Sequence, residues 1–232
     1  MTETVDILAC GAHPDDIEIG MGGTIAAYVA KGARVAFLTL TKAELSSNGT
    51  VATRQEEAAR AAAILGVHAR YQLDFPDRGL RDIKDAQLSQ IVKLVRALQP
   101  QLVFYPHHDR HPDHGHCGQM VKEAVFNAAI RRFATEGVSA HRVKASYAYF
   151  INGIPAPSFL TDVSAVYEQK KQALQAYESQ FTPADGVSTP LTDAYIDTVI
   201  GRDRLLGKEA GVQFAEGFYS DRAPVVANLL EG

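Results

Sequence analysis

Two short strings in this chain concentrate groups that bind metals and move protons. His13-Pro14-Asp15-Asp16 and His111-Pro112-Asp113-His114 echo each other as HPDD and HPDH. Each sets a potential ligand at i and i+3 across a proline, a spacing that suits the first turn of a helix, where residues three apart share a side. His13 and Asp16 then converge on one ion. A third ligand from the second string, His114 or His111, completes a His, Asp, His set with a position open for water, the arrangement of a catalytic zinc site. Asp15 is left beside the metal, where a carboxylate is a candidate general base for metal-activated water. The spare histidine, positioned by Asp113, is expected as an imidazolium that stabilises an oxyanion or protonates a leaving amine. Taken alone, HPDD reads equally well as a helix N-terminus with His13 as its cap. Two such strings, with three histidines and three aspartates between them, make ligation the better account.

Around these strings the spacing is less informative. His107, His108 and His116 lack ligand-like spacing and read as supporting or surface residues, and His68 and His141 as loop histidines. Residues 41–50, TKAELSSNGT, form a long polar loop that resembles a substrate loop and ends in a helix cap. Arg54, one turn into the helix that follows, points back to the same sheet edge and could bind a carboxylate bidentately; a surface pair with Glu57 fits the spacing equally. Gly20-Met21-Gly22-Gly23 imitates a dinucleotide loop, but it starts too far beyond the strand and belongs inside a helix, permitting close packing.

The elements that must position these groups alternate. Apolar runs at 5–12, 33–41, 69–75, 101–106 and 144–151 read as buried strands, and 17–31, 50–66, 88–98 and about 114–133 as helices. Such alternation implies a Rossmann-like, doubly wound, mainly parallel α/β sheet, with ligands beyond the carboxyl ends of its strands. Both HPD strings follow strands. Past residue 151 prolines punctuate the chain around a helix near 165–179, a last helix at about 192–210, and a strand or extended segment at 212–220. This part, 152–232, reads as a C-terminal elaboration packed on the sheet of the 1–151 core, so a single domain is expected.

Composition narrows the function. The 232 residues are 46% apolar and 22% charged with a net charge of -4, so no bulk field draws the chain to nucleic acid or anionic lipid. Cys10 and Cys117 do not form a CxxC pair, which favours a reducing compartment over a disulfide scaffold. The start lacks a secretory leader and no run approaches a membrane span, so a cytoplasmic location is expected.

At HPDD, the serine-rich loop and DRHPDH, the sequence resembles the LmbE/PIG-L family of zinc-dependent N-deacetylases acting on N-acetylglucosamine conjugates. TKAELSSNGTVATRQEEA, FPDRGL and AYESQF are similar to the bacillithiol branch, whose members deacetylate N-acetylglucosaminyl malate. The resemblance implies His13, Asp16 and His114 as zinc ligands, Asp15 as general base, and His111, oriented by Asp113, as the charge-stabilising histidine. It further implies substrate contacts from Ser47, Asn48, Arg54 and Arg110, and from TPLTDAYIDTV it points to Tyr195 near the reacting carbonyl. Homo-oligomers, often hexamers, are implied as well. A two-histidine, one-carboxylate triad also suits iron(II), so Fe2+ stands beside Zn2+, and a non-haem iron oxygenase is the rival class. Within the deacetylases, a chitooligosaccharide is the alternative substrate.

Overall fold

The structure, a computed structural model, describes residues 3–82, 84–133, 137–153 and 156–225. Five strands run parallel: β1 (Ile7–Gly11), β2 (Val35–Thr41), β3 (Ala69–Phe75), β4 (Leu102–Pro106) and β5 (Ala145–Tyr149). Every residue of β1 and β2 is buried, as strands covered by helices on both faces must be. Helices α1 (Asp16–Ala30) and α2 (Val51–Ile64) pack with the later helices α5 (Tyr167–Gln175), α6 (Glu178–Phe181) and α7 (Tyr195–Ala210) over one core, which includes Ile17, Ile25, Ala61, Leu174 and Val199. Helices α3 (Asp85–Leu98) and α4 (Pro112–Ala128) cover the other face through Ile91, Val95, Val121 and Ala124.

The strand order places the site. The chain builds β1, β2 and β3 outward, then returns to lay β4 on the free side of β1, giving the order β3-β2-β1-β4-β5, continued by β7 (Ala215–Tyr219) and β6 (Phe159–Asp162). The switch point falls between β1 and β4, where diverging loops open a crevice beyond the carboxyl ends. HPDD follows β1 and HPDH follows β4, so topology alone brings them together. At the far edge β7 pairs antiparallel with β5 and with β6, so the sheet is mixed and the C-terminal part extends it. No helix among the described residues is long and apolar enough to cross a membrane.

Two expectations change. The segment 159–162, to which the sequence pattern assigns no strand, pairs as β6, because its neighbour β7 supplies a pairing edge that local composition cannot reveal. The helix expected near 165–179 is two, α5 and α6, separated at Ala176 and Tyr177. The glycine cluster lies inside a helix as expected, but α1 is broken there: Met21 has φ −150° and ψ 20°. A side chain on Gly20 would put its Cβ 2.1 Å from Tyr149 Cδ2, under the sheet. Gly20→Ala is therefore expected to destabilise the fold by about 1–3 kcal/mol, read as a lower midpoint in urea with an unchanged m-value.

Candidate active site

HPDD and HPDH reach the crevice by different local structures. His13 and Pro14 precede α1, and Asp15 caps it with φ 99°, a conformation aspartate tolerates better than most residues. The turn is closed by Asp16, whose Oδ2 accepts from the backbone N–H of Ala12 at 2.8 Å and of His13 at 2.9 Å. The i, i+3 relation of His13 and Asp16 thus comes from a carboxylate-closed turn, not from a helical turn as expected. In the second string the helical reading holds: His111 is the N-cap of α4, Pro112 follows it, and His114 lies in the first turn.

The predicted ligands meet. Asp16 Oδ1 lies 3.3 Å from His114 Nε2, and Asp16 Oδ2 lies 3.6 Å from His13 Nδ1. The opposite nitrogen of each ring faces another carboxylate. His114 Nδ1 is 2.8 Å from Asp109, and His13 Nε2 is 3.2 Å from Asp77 Oδ1 and 3.7 Å from Asp113 Oδ2. This carboxylate–histidine pattern fixes ring orientation and leaves the inner nitrogens for an ion. Ring nitrogens of His13, His111 and His114 also lie within 4.8 Å of one another, as do donor atoms of His13, Asp77 and Asp113.

Electrostatics agree with a cation here. Burial alone would depress His13, but the carboxylates of Asp113, Asp16 and Asp77 outweigh it and hold the imidazole well above its ordinary value. His114 is pushed up to about 9, Asp16 and Asp109 again overcoming burial. Burial would raise Asp16, yet the two histidines hold it well below the usual carboxylate range. Asp15 is pushed up to about 6 by burial, with Arg54 pulling the other way. His111 Nδ1 is buried without a hydrogen-bond partner. Two imidazole nitrogens, a carboxylate oxygen and an excess of negative charge form a donor set that fits a divalent ion.

A cavity of about 450 Å³ opens over this cluster, and all the sequence-derived site residues except Asp113 line it. Several have different partners from those expected. Asp113 does not hold His111; its Oδ2 accepts from the backbone N–H of Arg78 at 2.6 Å. Nor is His111 poised as an imidazolium, because burial and the neighbouring His13 and His114 lower its pKa. Arg54 reaches a carboxylate, but that carboxylate is Asp15 at 2.9 Å; the guanidinium, 3% exposed, also donates to the Pro14 carbonyl and to Ser46 Oγ. Glu57, its alternative partner, instead accepts from Ser179.

Asn48 is buried and spends its amide on Val187, donating to its carbonyl and accepting from its N–H, which ties the 43–50 loop to the segment before α7. Tyr195 donates to Asn152 Oδ1 at 2.9 Å and the Ile151 carbonyl at 3.2 Å. Ser47 and Arg110 are exposed on the cavity wall. His107 is half-buried against Phe150 and Tyr219.

Three further residues at the site carry no sequence-derived role. Asp77 holds His13 with one oxygen and accepts from Leu45 N–H at 3.1 Å with the other, joining the histidine–carboxylate cluster to the 41–50 loop. Asp109 orients His114 and is itself fixed by Asn152 Nδ2 at 2.9 Å and His111 N–H at 2.7 Å. Arg78 is an exposed guanidinium on the cavity wall. Position supplied the available signal: Asp77 and Arg78 follow the end of β3, and Asp109 follows β4.

Comparison with known proteins identifies the family. A family model described as PIG-L, GlcNAc-PI de-N-acetylase, matches residues 8–125. A Thermococcus kodakarensis protein named diacetylchitobiose deacetylase is 33% identical over 91% of this chain and 81% of its own length. A Bacillus anthracis protein named probable N-acetyl-alpha-D-glucosaminyl L-malate deacetylase 2 is 28% identical over 83% of this chain and 89% of its own. The crystal structure of a conserved Thermus thermophilus protein superposes with a TM-score of 0.89 at 36% identity, covering 97% of this chain and 99% of that one.

Proposed function

The chain belongs to the PIG-L deacetylase family, and from that premise we propose that it removes the acetyl group of an N-acetylglucosamine conjugate, with His13, Asp16 and His114 holding zinc. The convergence of the Asp16 carboxylate with both histidines beside buried Asp15 carries this reading. When bound, the ion supplies Lewis acidity that polarises an acetamide carbonyl and acidifies water.

The chain's own groups do the rest. Arg54 anchors Asp15 Oδ2, and among the described residues no hydrogen bond occupies Asp15 Oδ1, which is free to take a proton from the attacking water. The water oxygen joins the acetyl carbon, the C–N bond breaks, and the proton passes to the amine nitrogen, so acetate and a free amino sugar leave. His111, whose Nδ1 is buried without a partner, donates a hydrogen bond from a ring N–H to the developing oxyanion. Tyr195 borders the same space and keeps Asn152 in register with Asp109.

For the rest of the substrate, the engagement of Arg54 moves anion recognition outward. Arg110 and Arg78 are exposed on the cavity wall, and neither guanidinium has a hydrogen bond or ion pair among the described residues. They support an anionic conjugate such as N-acetylglucosaminyl malate. The 33% identical relative favours a second reading, a neutral chitooligosaccharide. Acetate release from the malate conjugate, diacetylchitobiose and N-acetylglucosamine, with zinc- or iron-reconstituted enzyme under air and anaerobically, tests both and the metal. Arg110→Ala is expected to lower kcat/KM for the malate conjugate by about ten-fold, the worth of one charge-assisted hydrogen bond, and to spare the neutral sugars. Equal loss on all three would remove the anion assignment, and release of acetate from none would remove the deacetylase.

A further inference from the structure

α1 is two half-helices that meet at Met21, and side chains from late in the chain bond their facing ends. Charges of opposite sign meet them. Arg202, on α7, donates from Nη2 to the Ile19 carbonyl at 2.8 Å. Glu216, on β7, accepts from Gly23 N–H at 2.9 Å and Thr24 N–H at 2.6 Å. Each side chain has the sign that complements its helix end. Lys170 Nζ joins Asp203 and Glu216, at 2.6 Å to each, and Lys170 and Asp203 are wholly buried.

Arg202 also faces a second direction. Its Nη1 donates to the Phe150 and Ile151 carbonyls, both at 2.9 Å, and its Nε to Asp203 Oδ1 at 2.9 Å. The residue after Ile151 is Asn152, whose side chain and N–H both donate to Asp109, the carboxylate against His114. One planar guanidinium therefore touches the half-helix that begins with Asp16 and the turn that holds His114 in place through Asp109.

We propose that Arg202 is a positioning residue for the metal site, setting the separation of the two ligand-bearing strings by gripping the Ile19 carbonyl on one side and the 150–151 carbonyls on the other. The proposal rests on metal ligation by His13, Asp16 and His114. Four acceptors arranged about one plane suit a guanidinium fork, and an ammonium at the same place keeps the charge but cannot span them. A buried cluster that merely stabilised the fold would make no demand on the ligand geometry.

Cobalt(II) in place of the native metal reports that geometry directly through its visible absorption, independent of turnover. In Arg202→Lys the cobalt band is expected to shift in position or intensity, and cobalt affinity by chelator competition to fall about ten-fold or more, the usual effect of losing support behind metal ligands. Asn152→Ala, which leaves Arg202 in place and cuts the next link to Asp109, is expected to act in the same direction. Val95→Ala, in the core of the opposite sheet face, serves as a control for general loss of stability and should leave band and affinity at wild-type values. A folded Arg202→Lys with the wild-type band and affinity overturns the proposal, as does a control that shifts both equally. If Arg202→Lys is not recovered folded, Asn152→Ala decides by the same criterion. Wild-type protein that takes up no cobalt overturns the metal reading itself and the proposal with it, a result distinct from a wild-type band that the variants fail to move.

Discussion

Asp15→Asn is expected to lower acetate release by about 10²- to 10⁴-fold, the range a positioned general base contributes, while metal content stays at the wild-type level. Asparagine is the informative replacement. It tolerates the positive φ at this position and retains an oxygen to accept from buried Arg54, so loss of activity reports the missing base, not a collapsed turn or an orphaned guanidinium. Asp16 closes the turn independently through the Ala12 and His13 N–H groups, so the ligand set should survive. Metal analysis beside single-turnover acetate release checks both halves. Near-normal turnover with metal bound would transfer the base role elsewhere in the cavity, and loss of metal would make Asp15 a ligand or a support for one.

Lys170→Met is expected to cost about 3–5 kcal/mol of folding stability, the penalty for breaking a fully buried ion pair by removing one partner. The substitution fits the volume but leaves Asp203 and Glu216 facing each other across the vacated ammonium position, with Arg202 paired to Asp203 and not to Glu216. Urea unfolding at neutral pH measures the cost. Its pH dependence carries a sign. Burial would raise Asp203, but Lys170 and Arg202 hold its pKa below the ordinary value. A depressed folded-state pKa contributes stability above the unfolded pKa that is lost as pH falls through the folded one. Without Lys170 that contribution shrinks, so the gap between wild type and variant should narrow below about pH 4, where unfolded aspartates protonate. A gap that widened there would mean the carboxylates are not the destabilising groups.

The alternation of apolar runs and helix-length segments determined a parallel sheet because period and burial are local properties, written in consecutive residues. β1 and β2 are legible for that reason, and so are both HPD strings, each placed at a strand's carboxyl end. β6 was not, since four unremarkable residues become a strand only when β7 offers an edge. The break in α1 was hidden too: the glycine cluster showed close packing, but the groups that satisfy the broken backbone come from Arg202 and Glu216, near the other end of the chain.

At the site, residue types and i, i+3 spacing named His13, Asp16 and His114, and the resemblance chose His114 over His111. What each side chain does with its remaining atoms is a different matter. Arg54 and Asp15 are 39 residues apart, Asp77 and His13 64 apart, and Asn152 and Asp109 43 apart. Such pairs leave no periodicity in the sequence, and one positive charge among several carboxylates could serve any of them. The sequence by itself determined which groups could do chemistry and at which sheet ends they would stand. Only the tertiary structure decided that Arg54 pairs with Asp15 and is not open to an anion, that Asp109 pairs with His114 while Asp113 faces His13 and not His111, and that Arg110 is left at the wall, because those choices follow from distances of about 3 Å that arise only when the loops close on one another.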